Sequence, residues 1–237
     1  MKIKSSQIIN ELNSLKDPEK AQILQRFFKT GKGQYAEGDI FWGITVPKQR
    51  SIAQKYKLLE LSEVKKLVKS PIHEIRLTGF LLLTYQYLLV SDERKKEIFE
   101  FYFNHRKYVN NWDLVDVTTP KIIGEYIKHN PKKQKLVFSL ITSKNLWERR
   151  IALLATHPFI KSDNFKDILS LATKVLDDPH DLIHKASGWM LREMGKRDTA
   201  PLIKFLDQYT TQMPRTMLRY SIERLPEKTR KKYLTKK

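Results

Sequence analysis

An all-α fold built from HEAT-like helical repeats is predicted by three features of the sequence. Apolar residues recur at helical spacing along most of the 237 residues. Strand-like alternation is hard to find, and Asn-Gly or Asp-Gly hairpin signals are missing. Four apolar helix openings recur at near-constant intervals: His73-Glu74-Ile75-Arg76, Trp112-Asp113-Leu114-Val115, Trp147-Glu148-Arg149-Arg150 and Ile183-His184-Lys185-Ala186. Within them, Glu74, Asp113, Glu148 and His184 are spaced by 39, 35 and 36 residues. Helix pairs repeating at about 35–45 residues mark an α-solenoid. The expected architecture is one domain, 1–237, with stacked helix pairs over 51–233 and a concave basic face.

Taken in order, residues 4–15 and 18–30 read as two N-terminal helices. Gly31 to Pro47 follows, rich in glycine and aromatics. It is open to two readings, a simple connector or a functional loop. Tyr35, Phe41 and Trp42 could stack on a ligand or bury against the first repeat. Amphipathic helices are then expected at about 60–69, 92–107, 131–142 and 163–176, each preceding one of the four openings. A fifth pair falls at 198–211 and 215–233. Acids at the start of three second helices suit the positive end of a helix. Asn110 to Asp113 also resembles a capping box, so Asp113 and Glu148 have a capping or packing reading. Pro120 cannot donate a hydrogen bond to the Asp116 carbonyl, so the helix should kink or loosen there.

Composition narrows the function. Lys+Arg number 45 against 26 Asp+Glu, a net charge of +19. That balance suits a polyanionic partner. Nucleic acid is favoured over anionic membrane, because no lipidation motif is present. Cysteine is absent, which excludes disulfide scaffolds, zinc-thiolate sites, iron–sulfur clusters and Cys nucleophiles. No apolar run approaches the ~18 residues of a spanning helix, and the N-terminus does not read as a signal peptide. A cytoplasmic monomer is expected. His180 and His184 have i,i+4 spacing, but no Glu joins them in a His-Glu-x-x-His arrangement. Gly31-Lys-Gly lacks the ending of a phosphate-binding loop. Neither a metal nor a cofactor is expected.

One segment stands out chemically. Asp116 follows Trp112 by one helical turn, so the two share a face. An acid among Leu114, Val115 and Val117 is costly unless paired or useful. It could simply bond a neighbouring helix, for example Arg149 or Arg150. Trp147-Glu-Arg-Arg150 offers an aromatic and two guanidinium groups in the first turn of a helix. Lys185-Ala-Ser-Gly-Trp-Met-Leu-Arg192 places Trp189 four residues after Lys185. Each Trp alone is compatible with a core role. Equivalent helices of a solenoid line one surface, so Trp112, Asp116, one Arg of the 149/150 pair and Trp189 could converge.

Trp112-Asp-Leu-Val-Asp116, Trp147-Glu-Arg-Arg150 and Lys185-Ala-Ser-Gly-Trp-Met-Leu-Arg-Glu193 resemble the signatures of the AlkD-type DNA alkylation repair glycosylases. The resemblance runs over roughly 20–225. It implies excision of N3- and N7-alkylated purines from duplex DNA, without enclosing the base in a pocket. By motif, it makes Asp116 the catalytic carboxylate. Trp112 and Trp189 become the aromatics that contact the deoxyribose of the lesion. An Arg of the Trp-x-Arg-Arg motif becomes the backbone contact, with Arg150 preferred to Arg149. Trp147, Lys185 and Arg192 complete the expected DNA-binding set. The long Gly31–Gly43 loop is a departure, so contacts near Phe27 and Phe28 carry over poorly. The expected chemistry is monofunctional hydrolysis that leaves an abasic site. A non-catalytic helical-repeat module for nucleic acid and a protein-interaction scaffold are the alternatives.

Overall fold

The computed structural model describes residues 3–235, which form two compact units divided after Thr118. Among the described residues the regular structure is helical, and the only extended pairing is an isolated bridge between Ile40 and Ile72.

The first unit contains α1 (Ser5–Asn13), α2 (Pro18–Phe27), α3 (Val46–Lys55), α4 (Leu61–Val68), α5 (His73–Tyr87), α6 (Asp92–Asn104) and α7 (Trp112–Thr119), whose last residue lies past the division. Helix α5 is its centre and packs against α3, α4 and α6. That placement explains its sequence. Phe80-Leu-Leu-Leu83 has no polar face because α5 is surrounded, and all its residues except Tyr85 are buried. Helix α2 is the opposite case. It contains no buried residue and leaves Ile23 and Phe27 exposed, although Phe28, just beyond its end, is buried. Asp17 caps α2 by accepting from the Lys20 N–H at 3.0 Å, with Pro18 in the first turn. Helix α3 begins inside the segment read as loop, with Pro47 in its first turn.

The second unit contains a π-helical turn at Pro120–Gly124, then α8 (Glu125–His129), α9 (Gln134–Phe138), α10 (Leu146–Leu154), α11 (His157–Ile160), α12 (Lys166–Thr173), α13 (Asp181–Arg197), α14 (Thr199–Tyr209), α15 (Arg215–Ile222) and α16 (Glu227–Leu234). Its centre is α13, packed against α10, α11, α12, α14 and α15. Gly188 permits a close approach of the α15 backbone. A Cβ there would stand 2.5 Å from the Met217 carbonyl oxygen of α15. The loosening expected around Pro120 takes the form of the π-turn, which begins at the proline itself.

Two expected helices are interrupted. Residues 215–233 form α15 and α16, because Pro226 adopts an extended ψ of 146° between them. Residues 131–142 are short 3₁₀ turns on either side of α9. No helix among the described residues is long and apolar enough to cross a membrane.

Candidate active site

Helix α7 starts where the Asn111 side chain accepts the N–H of Trp112 at 2.8 Å. Trp112 and Asp116 are half-buried and one turn apart. Trp112 stands at the end of an aromatic stack. Its ring lies on Phe28 at 4.9 Å, Phe28 on Phe41 at 4.9 Å, and Phe41 on the imidazole of His73 at 4.4 Å. Phe27 meets Trp112 edge-on at 5.9 Å and is 62% exposed. The indole N–H donates to the Tyr35 hydroxyl at 3.3 Å. The Gly31–Gly43 segment is therefore a connector whose aromatics also support Trp112. Phe41 buries against the first repeat, and Trp42 lies under the ammonium of Lys16 at 3.8 Å.

Beneath the stack is a buried charge network that sequence reasoning missed. His73 Nδ1 is 3.0 Å from Asp39 Oδ2, and Nε2 is 2.8 Å from Asp113 Oδ2. Arg76 Nη2 donates to Asp39 Oδ1 at 2.6 Å. Burial by itself pushes the His73 pKa down. The charges and hydrogen bonds of Asp113 and Asp39 outweigh it and hold the ring up at about 9. Burial likewise opposes the charge of Asp39, but His73 and Arg76 hold its carboxyl below the usual range. The available signal was a His, a Glu and an Arg opening the helix that carries the apolar run Phe80-Leu-Leu-Leu83.

This network makes stability depend on pH. A His whose folded pKa is raised stabilises fully below its unfolded value, near 6.5, and loses that contribution as pH rises through about 9. The expected loss between those values is about 3 kcal/mol. Urea unfolding at stepped pH measures it. A stability that is flat or rising over this interval would rule out a charged His73 in the folded state.

Two of the acids at the helix openings, Glu74 and Glu148, tie their helices to earlier parts of the chain. Both Glu74 oxygens accept from backbone N–H groups of Trp42 to Ile44, at 2.8 to 3.2 Å. Glu148 accepts the Ser143 hydroxyl at 2.6 Å. Arg76 and Arg149 repeat one clamp. Arg76 Nη1 donates to the carbonyls of Ser70 and Pro71, and Arg149 Nη1 to those of Ser143 and Lys144. Each also grips an aspartate, Asp39 for Arg76 and Asp178 for Arg149.

The remaining expected site residues lie in the second unit. Trp147 and Arg150 were expected at a DNA surface, but the structure buries them to 7% and 4% exposure. The Arg150 guanidinium donates to the Leu182 carbonyl at 2.6 Å, which ties α10 to α13. Arg149 is committed to the clamp on Asp178. Lys185 pairs with Asp181 at 2.7 Å, and Arg192 pairs with Glu223. Trp189 is half-buried and donates its indole N–H to Glu193 Oε1 at 3.1 Å. Burial works against the charge of Glu193, yet Lys196 and the Trp189 N–H keep its pKa lowered. His180 caps α13 by accepting the Leu182 N–H, and His184 bonds the Asp178 carbonyl. Among the described residues, no group of three His, Asp or Glu side chains is placed to hold a metal ion.

No curated protein sequence matches the chain. Solved structures share its fold, three of them as follows. A predicted DNA alkylation repair enzyme from Enterococcus faecalis superposes with a TM-score of 0.70 at 18% identity, covering 90% of this chain and 97% of that one. AlkD2 from Streptococcus mutans gives 0.57 at 16% identity, covering 87% and 98%. Smu.31 from Streptococcus mutans UA159 gives 0.55 at 18% identity, covering 85% and 96%. The family described as DNA alkylation repair enzyme matches residues 8–225. The resemblance drawn from the three motifs thus holds at the level of the family, and the chain belongs to the DNA alkylation repair enzymes.

Proposed function

We propose that this chain is a monofunctional DNA glycosylase that hydrolyses the N-glycosidic bond of N3- and N7-alkylated purines in duplex DNA. The observation that carries the proposal is the pairing of Trp112 and Asp116, half-buried and one turn apart on α7. Alkylation at N3 or N7 places positive charge on the purine, which then departs neutral. No strong general acid is needed at the base. What needs stabilising is the cationic character growing on the sugar. A carboxylate beside C1′ supplies it, and more strongly where water is limited. Asp116 takes that role and orients the attacking water. The indole face of Trp112 attracts cations and so favours the charged nucleoside, and the family resemblance gives Trp189 the same task.

The DNA contacts are assigned to Lys185 and Arg192. Their acidic partners Asp181 and Glu223 are about half exposed. The Lys185–Asp181 pair is exposed on both sides and worth little, and Arg192, itself 17% exposed, can trade its solvent-facing partner Glu223 for a phosphate. Arg149 is a poorer phosphate ligand, because Asp178 is largely buried with it. Trp147 and Arg150 serve DNA binding through the placement of α10. The substrate is gripped along its backbone as a monomer in the cytoplasm, with no sequence reading.

The test is release of free 7-methylguanine from a methylated duplex by the whole protein. Release leaving an intact abasic site supports the proposal, and binding without release of any alkylpurine overturns it. Affinity for unmodified duplex should fall steeply with salt. Lys185→Ala and Arg192→Ala should each reduce the log–log slope by about 0.9. An unchanged slope in both variants would remove them from the interface, and salt-independent binding would favour a protein-interaction scaffold.

A further inference from the structure

We propose that His73 is a positioning residue for Trp112: its ring, held between Asp39 and Asp113, fixes the start of α7 and with it the plane of the indole. The consequence for catalysis rests on the proposed role of Trp112, but the first readout below does not.

Two routes connect the imidazole to the indole. One is covalent, since Asp113 is the next residue after Trp112 and bonds His73 Nε2. The other is the aromatic stack from His73 through Phe41 and Phe28 to Trp112. Both are closed by one segment of chain, because Asp39, Phe41 and the Tyr35 that accepts the indole N–H all belong to it. The ring sits in the interior and faces a carboxylate oxygen at each nitrogen. Only a protonated imidazole donates from both nitrogens. A neutral ring would donate to one carboxylate and point a lone pair at the other.

The two carboxylates are not equivalent. Asp39 retains the Arg76 guanidinium at 2.6 Å. The other bond of Asp113 is Oδ1 accepting the N–H of its own neighbour Leu114, at 2.8 Å. A neutral ring keeps its one N–H for Asp113, the carboxylate without a cation, so deprotonation loosens the link to Asp39 and with it the segment that carries Phe41 and Tyr35 to the indole. The charged groups facing the ring are Asp39 from the connecting segment and Asp113 from α7, with Arg76 of α5 behind Asp39. Because the ring titrates at about 9, the support is set at neutral pH and released in mildly alkaline solution.

Asp113→Asn separates the proton from the geometry. The Asn Oδ1 still accepts from Leu114, and its Nδ2 donates to Nε2 of a neutral ring. That leaves the ring N–H to Asp39, so neither link needs the imidazolium. The test is a titration of Trp112 emission, taken as the difference between the protein and its Trp112→Phe variant, from about pH 7 to about 10.5. A Tyr35→Phe background removes the nearest phenol. We expect a transition near pH 9 with far-UV circular dichroism unchanged, and a flat curve in Asp113→Asn. A flat curve in the parent, the same midpoint in Asp113→Asn, or unfolding without an earlier change in Trp112 emission overturns the assignment.

The catalytic arm uses the same variants. His73→Asn should lower kcat on the order of tenfold with KM for the methylated duplex unchanged. Asp113→Asn should keep alkaline activity that the parent loses. Absence of excision in the parent protein would count against the glycosylase proposal, whereas the emission titration would still decide the role of His73.

Discussion

Asp116→Asn is expected to lower the release of 7-methylguanine by at least ~100-fold while duplex affinity stays level or rises. The substitution is nearly isosteric, so α7 and its packing should survive. What it removes is the negative charge that the proposed mechanism sets against the sugar. A neutral amide still occupies the site but cannot balance an oxocarbenium-like centre or take a proton from water. Removing an anion from the proposed phosphate-binding surface also relieves repulsion in the ground state. The two effects have opposite signs, which distinguishes this outcome from general damage. A misfolded variant would lose binding together with excision. Full activity in Asp116→Asn would move the catalytic carboxylate elsewhere, and a parallel fall in both quantities would make Asp116 a structural residue. Trp112→Ala tests the same face by a different property. It should reduce excision by roughly tenfold, through loss of a cation–π contact of about 1–2 kcal/mol.

Much of the fold was legible because helix burial writes a period into the sequence. The starts of α5, α7, α10 and α13 fall within two residues of the apolar openings. Where the period was weak, the reading failed. Helix α3 is mostly polar, buries only Gln49, Ile52 and Ala53, and follows a glycine-rich stretch, so no separate helix was read there and its first two residues were counted with the loop. The break between α15 and α16 depends on Pro226, whose weight was underestimated against a continuous amphipathic pattern. The pairing of Trp112 with Asp116 was visible, because a helix places residues four apart on one face. The surroundings of that pair were not. Asp39, His73 and Asp113 are brought together across separations of 34 and 40 residues. No local periodicity encodes such a meeting. The burial of Arg150 was hidden for a related reason. A guanidinium in a basic protein suggests phosphate, but its planar fork also suits a buried carbonyl between two helices.

Glu74→Ala should destabilise the protein by about 4 kcal/mol, a large share of the 5–15 kcal/mol typical of a domain. The carboxylate is 1% exposed and accepts from three consecutive backbone N–H groups, those of Trp42, Gly43 and Ile44. These donors sit in a turn that no other residue type enters easily. Gly43 has φ +81°, and a Cβ there would lie 2.1 Å from the Asp17 carbonyl oxygen. The turn is thus wedged between α5 and the start of α2, where Trp42 also accepts the Asp17 N–H at 2.9 Å. Deleting the carboxylate strands buried donors that water cannot reach, each at a cost of about 1–3 kcal/mol. Glu74→Gln keeps one acceptor oxygen but sets an amide NH₂ against the Trp42 N–H. Its expected loss is roughly half as large. Urea midpoints at unchanged m-value measure both. A loss below about 1 kcal/mol for the alanine variant would show that the turn finds other acceptors. A loss of the predicted size should also change Trp112 emission, because Tyr35 and Phe41 lie on the segment that Glu74 anchors. Stability and the shape of the candidate site then share one carboxylate, 38 residues before the indole it helps to place.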